Sequence, residues 1–176
     1  MAWIVKNSAS QTIQRSDQPA LDESLKAQLE ADVLPRYPTR QASVLPVLHA
    51  IQHKHNWISH QAIEETADFL GLHASQVWDT ASFYEDFWLR PKGKYLIMVC
   101  QSISCELMGQ VDLLKKIKAK LGIDTGQTTD DNQFTLMTAE CLGSCDTAPC
   151  ALVNDKLYES LTAENFEQVL DALAQQ

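Results

Sequence analysis

Four cysteines constrain the fold of this 176-residue chain more than any other feature. Cys100 and Cys105 make one pair at C-x4-C spacing. Cys141 and Cys145 make a second at C-x3-C spacing, and 35 residues lie between the pairs. Short gaps within pairs and a long insert between them suit a soft-metal site closed by two distant loops. A fifth cysteine, Cys150, ends the segment Cys141-Leu142-Gly143-Ser144-Cys145-Asp146-Thr147-Ala148-Pro149-Cys150, and no cysteine precedes Cys100. The chemistry is therefore expected in the second half of the chain.

Composition narrows the partners. With 45% hydrophobic and 21% charged residues, the chain is an ordinary globular protein of one or two small domains. Its formal net charge of −9 repels phosphate backbones, so nucleic acid is not an expected partner. The same charge favours docking onto a basic face. The opening Met1-Ala2-Trp3-Ile4-Val5-Lys6 lacks the long apolar core of a signal peptide. No run approaches the roughly 20 apolar residues of a membrane span. The expected setting is a reducing cytosol, and an odd cysteine count does not suit a closed disulfide framework.

Periodicity and punctuation predict three segments: a mobile arm over residues 1–18, a helical bundle over 19–90, and an α/β domain over 91–176. Leu21, Leu25, Leu29 and Val33 line one helical face, which Pro35 and Pro38 end. A second helix is expected from an N-cap at Ser43, with Pro46 in its first turn and Leu45, Leu48 and Ile51 inward. A third runs from Ser59 to Gly71, and a short fourth over about 75–82.

After Pro91-Lys92-Gly93 the apolar run Tyr95–Val99 reads as a buried strand ending at Cys100. A helix with Leu107, Val111, Leu114, Ile117 and Leu121 inward is expected to stop at Gly122, followed by a loop over 124–128. Phe134–Thr138 is a second strand. Ala151–Val153 and Leu157-Tyr158 form a hairpin about Asn154-Asp155, and Thr162 caps a last helix carrying Phe166, Val169, Leu170 and Leu173. The order β-α-β-β-α is the thioredoxin-like plan, expected as a three-layer α/β domain.

If the first two strands are neighbours, Cys100 and Cys141 leave the same end of a sheet, with Cys105 and Cys145 in the following loops. A [2Fe–2S] cluster takes two thiolates on each iron, so each pair would serve one iron. The backbone about Gly143 and the hydroxyls of Ser102, Ser104 and Ser144 are candidate donors to sulfur. Spacing alone leaves three other readings open. Structural zinc takes four cysteines, though usually in C-x2-C knuckles. Thiol–disulfide exchange usually uses C-x-x-C. Unrelated buried cysteines are the third.

The segments Val99–Cys105 and Glu140–Pro149 resemble the thioredoxin-like [2Fe–2S] ferredoxin family. Asn56-Trp57-Ile58-Ser59, Leu70-Gly71-Leu72 and Thr80–Tyr84 are similar to its helical N-terminal region. The resemblance covers roughly residues 20–174. Its best-known member is the 24 kDa subunit of NADH:quinone oxidoreductase, respiratory complex I. The resemblance implies four cluster ligands, Cys100, Cys105, Cys141 and Cys145. It also implies a partner subunit holding FMN and NADH, other peripheral-arm partners, and a place at the cytoplasmic side of the inner membrane. Similar diaphorase modules occur in NAD-linked hydrogenases and formate dehydrogenases. Two positions depart from the pattern: Ser104 where Pro is frequent, and Cys150 where Met is frequent. Cys150 is expected to be a small apolar residue opening a strand, the alternative being another ligand or an oxidation site.

The chain has neither G-x-G-x-x-G nor a P-loop, so a nicotinamide or flavin site is not expected on it. A cluster exchanges single electrons and needs a flavin partner to divide a two-electron donor. Glu106, Glu140 and Asp146 adjoin three of the cysteines, and negative neighbours predict a low potential. His49 and His53, four apart, have no evident third ligand for a metal. Phe83-Tyr84-Glu85-Asp86-Phe87-Trp88 is read either as a core-anchored linker or as part of a docking surface.

Overall fold

Capping side chains fix where the first helices begin. In the computed structural model, which describes residues 15–175, α1 runs Glu23–Asp32, and Asp22 caps it by accepting the Leu25 N–H at 2.9 Å. The expected stop follows: the chain tightens into a 3-10 turn over Leu34–Arg36, with Pro35 at its start. Helix α2 (Val44–His55) is preceded by a second 3-10 turn, and the buried Ser43 does not cap it. Its hydroxyl instead donates to the Thr39 carbonyl at 3.3 Å. The buried face of α2 is Val44, Val47, Leu48 and Ile51, with Leu45 only half-buried.

Helix α3 (His60–Leu70) lies between Ser59, which accepts the Ala62 N–H at 3.1 Å, and Gly71, as its sequence demands. Helix α4 is Ala74–Phe83. Phe87 joins Val47, Ile51, Ile63 and Val77 in one apolar core, while Phe83 at 78% exposure points to solvent. The aromatic run is thus anchored in the core at Phe87 and exposed at Phe83. Trp57 and Trp78 are half-buried, the latter stacked on His60 at 4.8 Å; Trp3 lies outside the described residues. Of the expected arm, residues 1–14 are also outside them. Arg15 pairs with Glu64 at 2.6 Å, and the Ser16 N–H donates to Gln61 at 2.8 Å.

The chain divides into two compact units, with the boundary after Pro91. The second is built on a five-stranded sheet of order β2-β3-β1-β4-β5. Strand β1 is Tyr95–Cys100, β2 Gln127–Thr128, β3 Phe134–Ala139, β4 Ala151–Val153 and β5 Lys156–Tyr158. Central β1 and β3 are parallel, pairing Tyr95 with Phe134 through to Cys100 with Ala139. β4 lies antiparallel on the other side of β1, with Val99 opposite Ala151. Asn154 makes the hairpin turn at φ 50°, and its side chain extends the ladder by accepting the Leu96 N–H at 2.9 Å. Gly93 enters β1 so closely against β3 that a Cβ there would stand 2.7 Å from the Phe134 carbonyl carbon.

Three expectations change here. The helix predicted through Leu107 is two helices, α5 (Ile103–Leu107) and α6 (Gln110–Leu121), parted at Gly109 with φ 98°. The turn rotates the buried face to Gln110, Leu113 and Ile117, leaving Leu107 and Val111 exposed. The loop after α6 contains β2, which pairs antiparallel with β3. The layers number two, not three. Ile97, Val99, Phe134, Leu136, Ala151 and Val153 share one sheet face by alternation. Both α6 and the last helix, α7 (Ala163–Ala174), bury Leu113, Ile117, Phe166 and Leu170 in that same core. Thr162 caps α7 as expected, accepting the Asn165 N–H at 3.2 Å.

Candidate metal centre

Strand direction gathers the cysteines. Because β1 and β3 are parallel, their C-terminal ends coincide, and Cys100 closes β1 beside Ala139. The residue before antiparallel β4 reaches the same end: the Cys100 N–H donates to the Cys150 carbonyl at 3.1 Å. Cys105 follows on α5, and Cys145 opens a 3-10 turn over Cys145–Thr147. Cys100, Cys105 and Cys150 are buried, whereas Cys141 and Cys145 are exposed.

The distances fit thiolate coordination. Two thiolates on one tetrahedral metal at about 2.3 Å lie about 3.8 Å apart. Cys141 Sγ and Cys145 Sγ are 3.8 Å apart. The Sγ atoms of Cys100, Cys105 and Cys150 all lie within 4.8 Å of one another. This buried trio is the one group of three or more His, Cys, Asp or Glu side chains among the described residues placed to hold a metal ion. His49 and His53 do not extend to such a group; their rings are 6.5 Å apart, and His49 faces Asp86 at 3.5 Å.

The two loops interlock through polar contacts to sulfur. The Gly143 N–H donates to Cys141 Sγ at 3.4 Å, from a backbone with φ 80° that glycine adopts without strain. Burial pushes the Cys100 thiol up, but the N–H groups of Ser102 and Leu142, with the Cys105 and Cys150 thiols, outweigh it and hold it below its ordinary value. Cys105 is pushed up by burial and by Cys100, and Cys145 is pushed up by Cys141. The Ser104 side chain, beside Cys145, partly offsets that rise. Cys150 is pushed up to about 12 by burial and by Cys105. The raised thiols of Cys105 and Cys145 keep their protons until a metal displaces them, so metal loading here releases protons and strengthens as pH rises.

Two expected donors act differently. The Ser144 hydroxyl does not point at sulfur. It lies 2.6 Å from Thr147 Oγ1 and donates to the Glu159 carboxylate. Thr147 donates to Glu159 at 2.6 Å, and these hydroxyls hold that carboxyl below its ordinary value. Ser102 serves through its backbone N–H. The network on Glu159 ties the 144–147 turn to the residue after β5. Nothing in the spacing around Glu159 signals it.

A model of the thioredoxin-like [2Fe–2S] ferredoxin family matches residues 31–174. The chain belongs to that family. Among this ferredoxin's relatives, an NADH-quinone oxidoreductase subunit of Rickettsia felis is 38% identical over 146 residues, covering 81% of this chain and 87% of that protein. An NADH-quinone oxidoreductase subunit of Rhizobium meliloti is 35% identical over 149 residues, covering 85% and 88%. Among solved structures, an NAD+-reducing [NiFe]-hydrogenase in its air-oxidized state superposes with a TM-score of 0.65 at 26% identity. That match covers 74% of this ferredoxin-family chain and 23% of the hydrogenase chain. Membership favours iron–sulfur over the zinc, exchange and unrelated-thiol readings that spacing left open.

Proposed function

We infer that this chain is the electron-transfer subunit of an NADH:quinone oxidoreductase, holding one low-potential [2Fe–2S] cluster on Cys100, Cys105, Cys141 and Cys145. The reading is supported by thiols at coordinating distance within each loop, Cys141 and Cys145 at 3.8 Å and Cys100 and Cys105 within 4.8 Å, and by the parallel pairing of β1 with β3 that leads into both loops. Bound there, the cluster supplies one-electron exchange. The chain's own groups would orient and tune it: the Gly143 N–H donates to Cys141, while the Leu142 N–H and the Ser104 side chain favour the thiolates of Cys100 and Cys145. The exposed carboxylates of Glu106, Glu140 and Asp146 add negative charge nearby, which opposes reduction.

The partner is a subunit carrying FMN and NADH, which divides a hydride's two electrons. Support comes from the surface beside the site. Ile103, Leu107 and Met108 are 72%, 81% and 63% exposed, all on or just after the helix that carries Cys105. Large apolar side chains gathered in this way mark a surface that another protein covers. No described helix is long and apolar enough to cross a membrane. Attachment at the cytoplasmic side of the inner membrane would therefore run through the other subunits. The hydrogenase likeness favours a second reading, in which the same ferredoxin unit serves the diaphorase of an NAD-linked hydrogenase.

Anaerobic purification of the native assembly tests this. About two iron and two acid-labile sulfide per chain are expected, with an EPR midpoint below about −150 mV. A colourless, zinc-loaded chain would sink the cluster. A co-purifying flavin subunit and membrane arm support the first reading, and a nickel subunit the second. Leu107→Asp should release the flavin subunit while leaving iron content unchanged.

A further inference from the structure

The four-ligand assignment leaves one sulfur of the centre unused. Cys150 Sγ lies 3.9 Å from Cys105 Sγ, in a buried nest with Cys100 against which Leu142 and Ala148 pack. A fifth thiolate in this apolar nest, beside an anionic cluster, would be charge buried against like charge. A neutral thiol there has one proton to give, and the Cys105 sulfur lies within reach of it.

We propose that Cys150 is a hydrogen-bond donor to the ligand sulfur of Cys105, and that this bond raises the reduction potential of the centre. The inference rests on the four-ligand reading above. Bonds to ligand sulfur disperse the charge added on reduction and so favour the reduced state. A thiol is a weak donor, so the effect is modest: about threefold in the reduction equilibrium, or about 28 mV at 59 mV per tenfold. Cys150 acts through Cys105 and is not itself a ligand.

The test uses the full-length cluster-loaded chain and its Cys150→Ala and Cys150→Ser variants. Iron and sulfide on the parent come first, because their absence sinks the four-ligand reading and not this inference alone. EPR-monitored titration should then place the Cys150→Ala midpoint about threefold, near 28 mV, below the parent. Cys150→Ser, which restores a donor, should sit at or above the parent. A Cys150→Ala midpoint equal to or above the parent overturns the inference, as do equally lowered Ala and Ser midpoints, which would mean packing. Loss of iron from Cys150→Ala alone makes Cys150 a ligand and also overturns it. Infrared spectroscopy decides independently of any variant's folding. With four thiolates on iron, Cys150 is the one protonated thiol, so the loaded parent should show an S–H stretch. A loaded parent without that band refutes the donor.

Discussion

The two cysteine pairs reach the same place by different means. Cys100 ends a central strand and Cys105 sits in a helix, both buried in an apolar nest. Cys141 and Cys145 are exposed on a turn that owes its shape to Gly143 and to the hydroxyls gathered on Glu159. Regular structure holds the first pair, and a local side-chain network holds the second. Water stabilises charge on the second pair, while the first relies on N–H donors. Solvent and chelators should therefore reach the centre through the second pair.

The largest test removes one ligand from each pair. Cys100→Ala and Cys145→Ala should both drop iron from about two per chain to near none. What remains should differ. Cluster-free Cys100→Ala loses a buried group, about 1 kcal/mol, whereas Cys145→Ala should melt with the cluster-free parent. Equal melting temperatures would break the contrast.

Gly93→Ala comes next. Its Cβ would meet the Phe134 backbone at 2.7–2.8 Å, which no rotamer change relieves. A loss of about 2 kcal/mol is expected, lowering the melting temperature by about 8–16 °C. A smaller effect arises at Gly143, where a Cβ meets nothing within 4 Å but φ 80° strains any L side chain. Gly143→Ala should cost about 1 kcal/mol and speed iron extraction by a chelator, with the sheet's hydrogen exchange unchanged. Altered sheet protection would show that the two pairs are not independently held.

The smallest effect concerns pH. Glu159 is held below its ordinary value of 4.5 by the Ser144 and Thr147 hydroxyls. A lowered carboxyl stabilises the folded turn at pH above its ordinary value, and the contribution is lost as pH falls through the lowered one. Glu159→Gln should thus release iron faster than the parent at pH 7. The gap should close as the parent is acidified below 4.5. A gap that widens on acidification would remove Glu159 from the account.

Much of this is legible in sequence because local rules set it. Ser59 and Gly71 bound one helix, Thr162 caps another, and Asn154 turns the hairpin. Each of those signals acts within a few residues. The errors arise where distant packing decides. A one-dimensional period carries Leu107 and Val111 inward. Gly109 breaks the helix and turns the face to Gln110 and Leu113 instead. Serine hydroxyls near cysteines look alike in sequence. Only the fold brings Glu159 to Ser144 and sets Ser104 beside Cys145. In sequence Cys150 reads as strand filler. Its nearness to Cys105 follows from β4 running antiparallel to β1, which spacing does not encode.

The parallel register of β1 with β3 also governs which deletions this protein tolerates. The sheet, acting as a ruler, makes the mileage of chain between the cysteine pairs irrelevant to their meeting. Residues lost from the bend at Asp130–Asn132 shorten a detour. A single residue lost between Phe134 and Glu140 swings Cys141 to the opposite side of its strand and dismantles the site. Divergent cousins should accordingly vary freely in that detour and hardly at all in the stretch leading up to the third thiol.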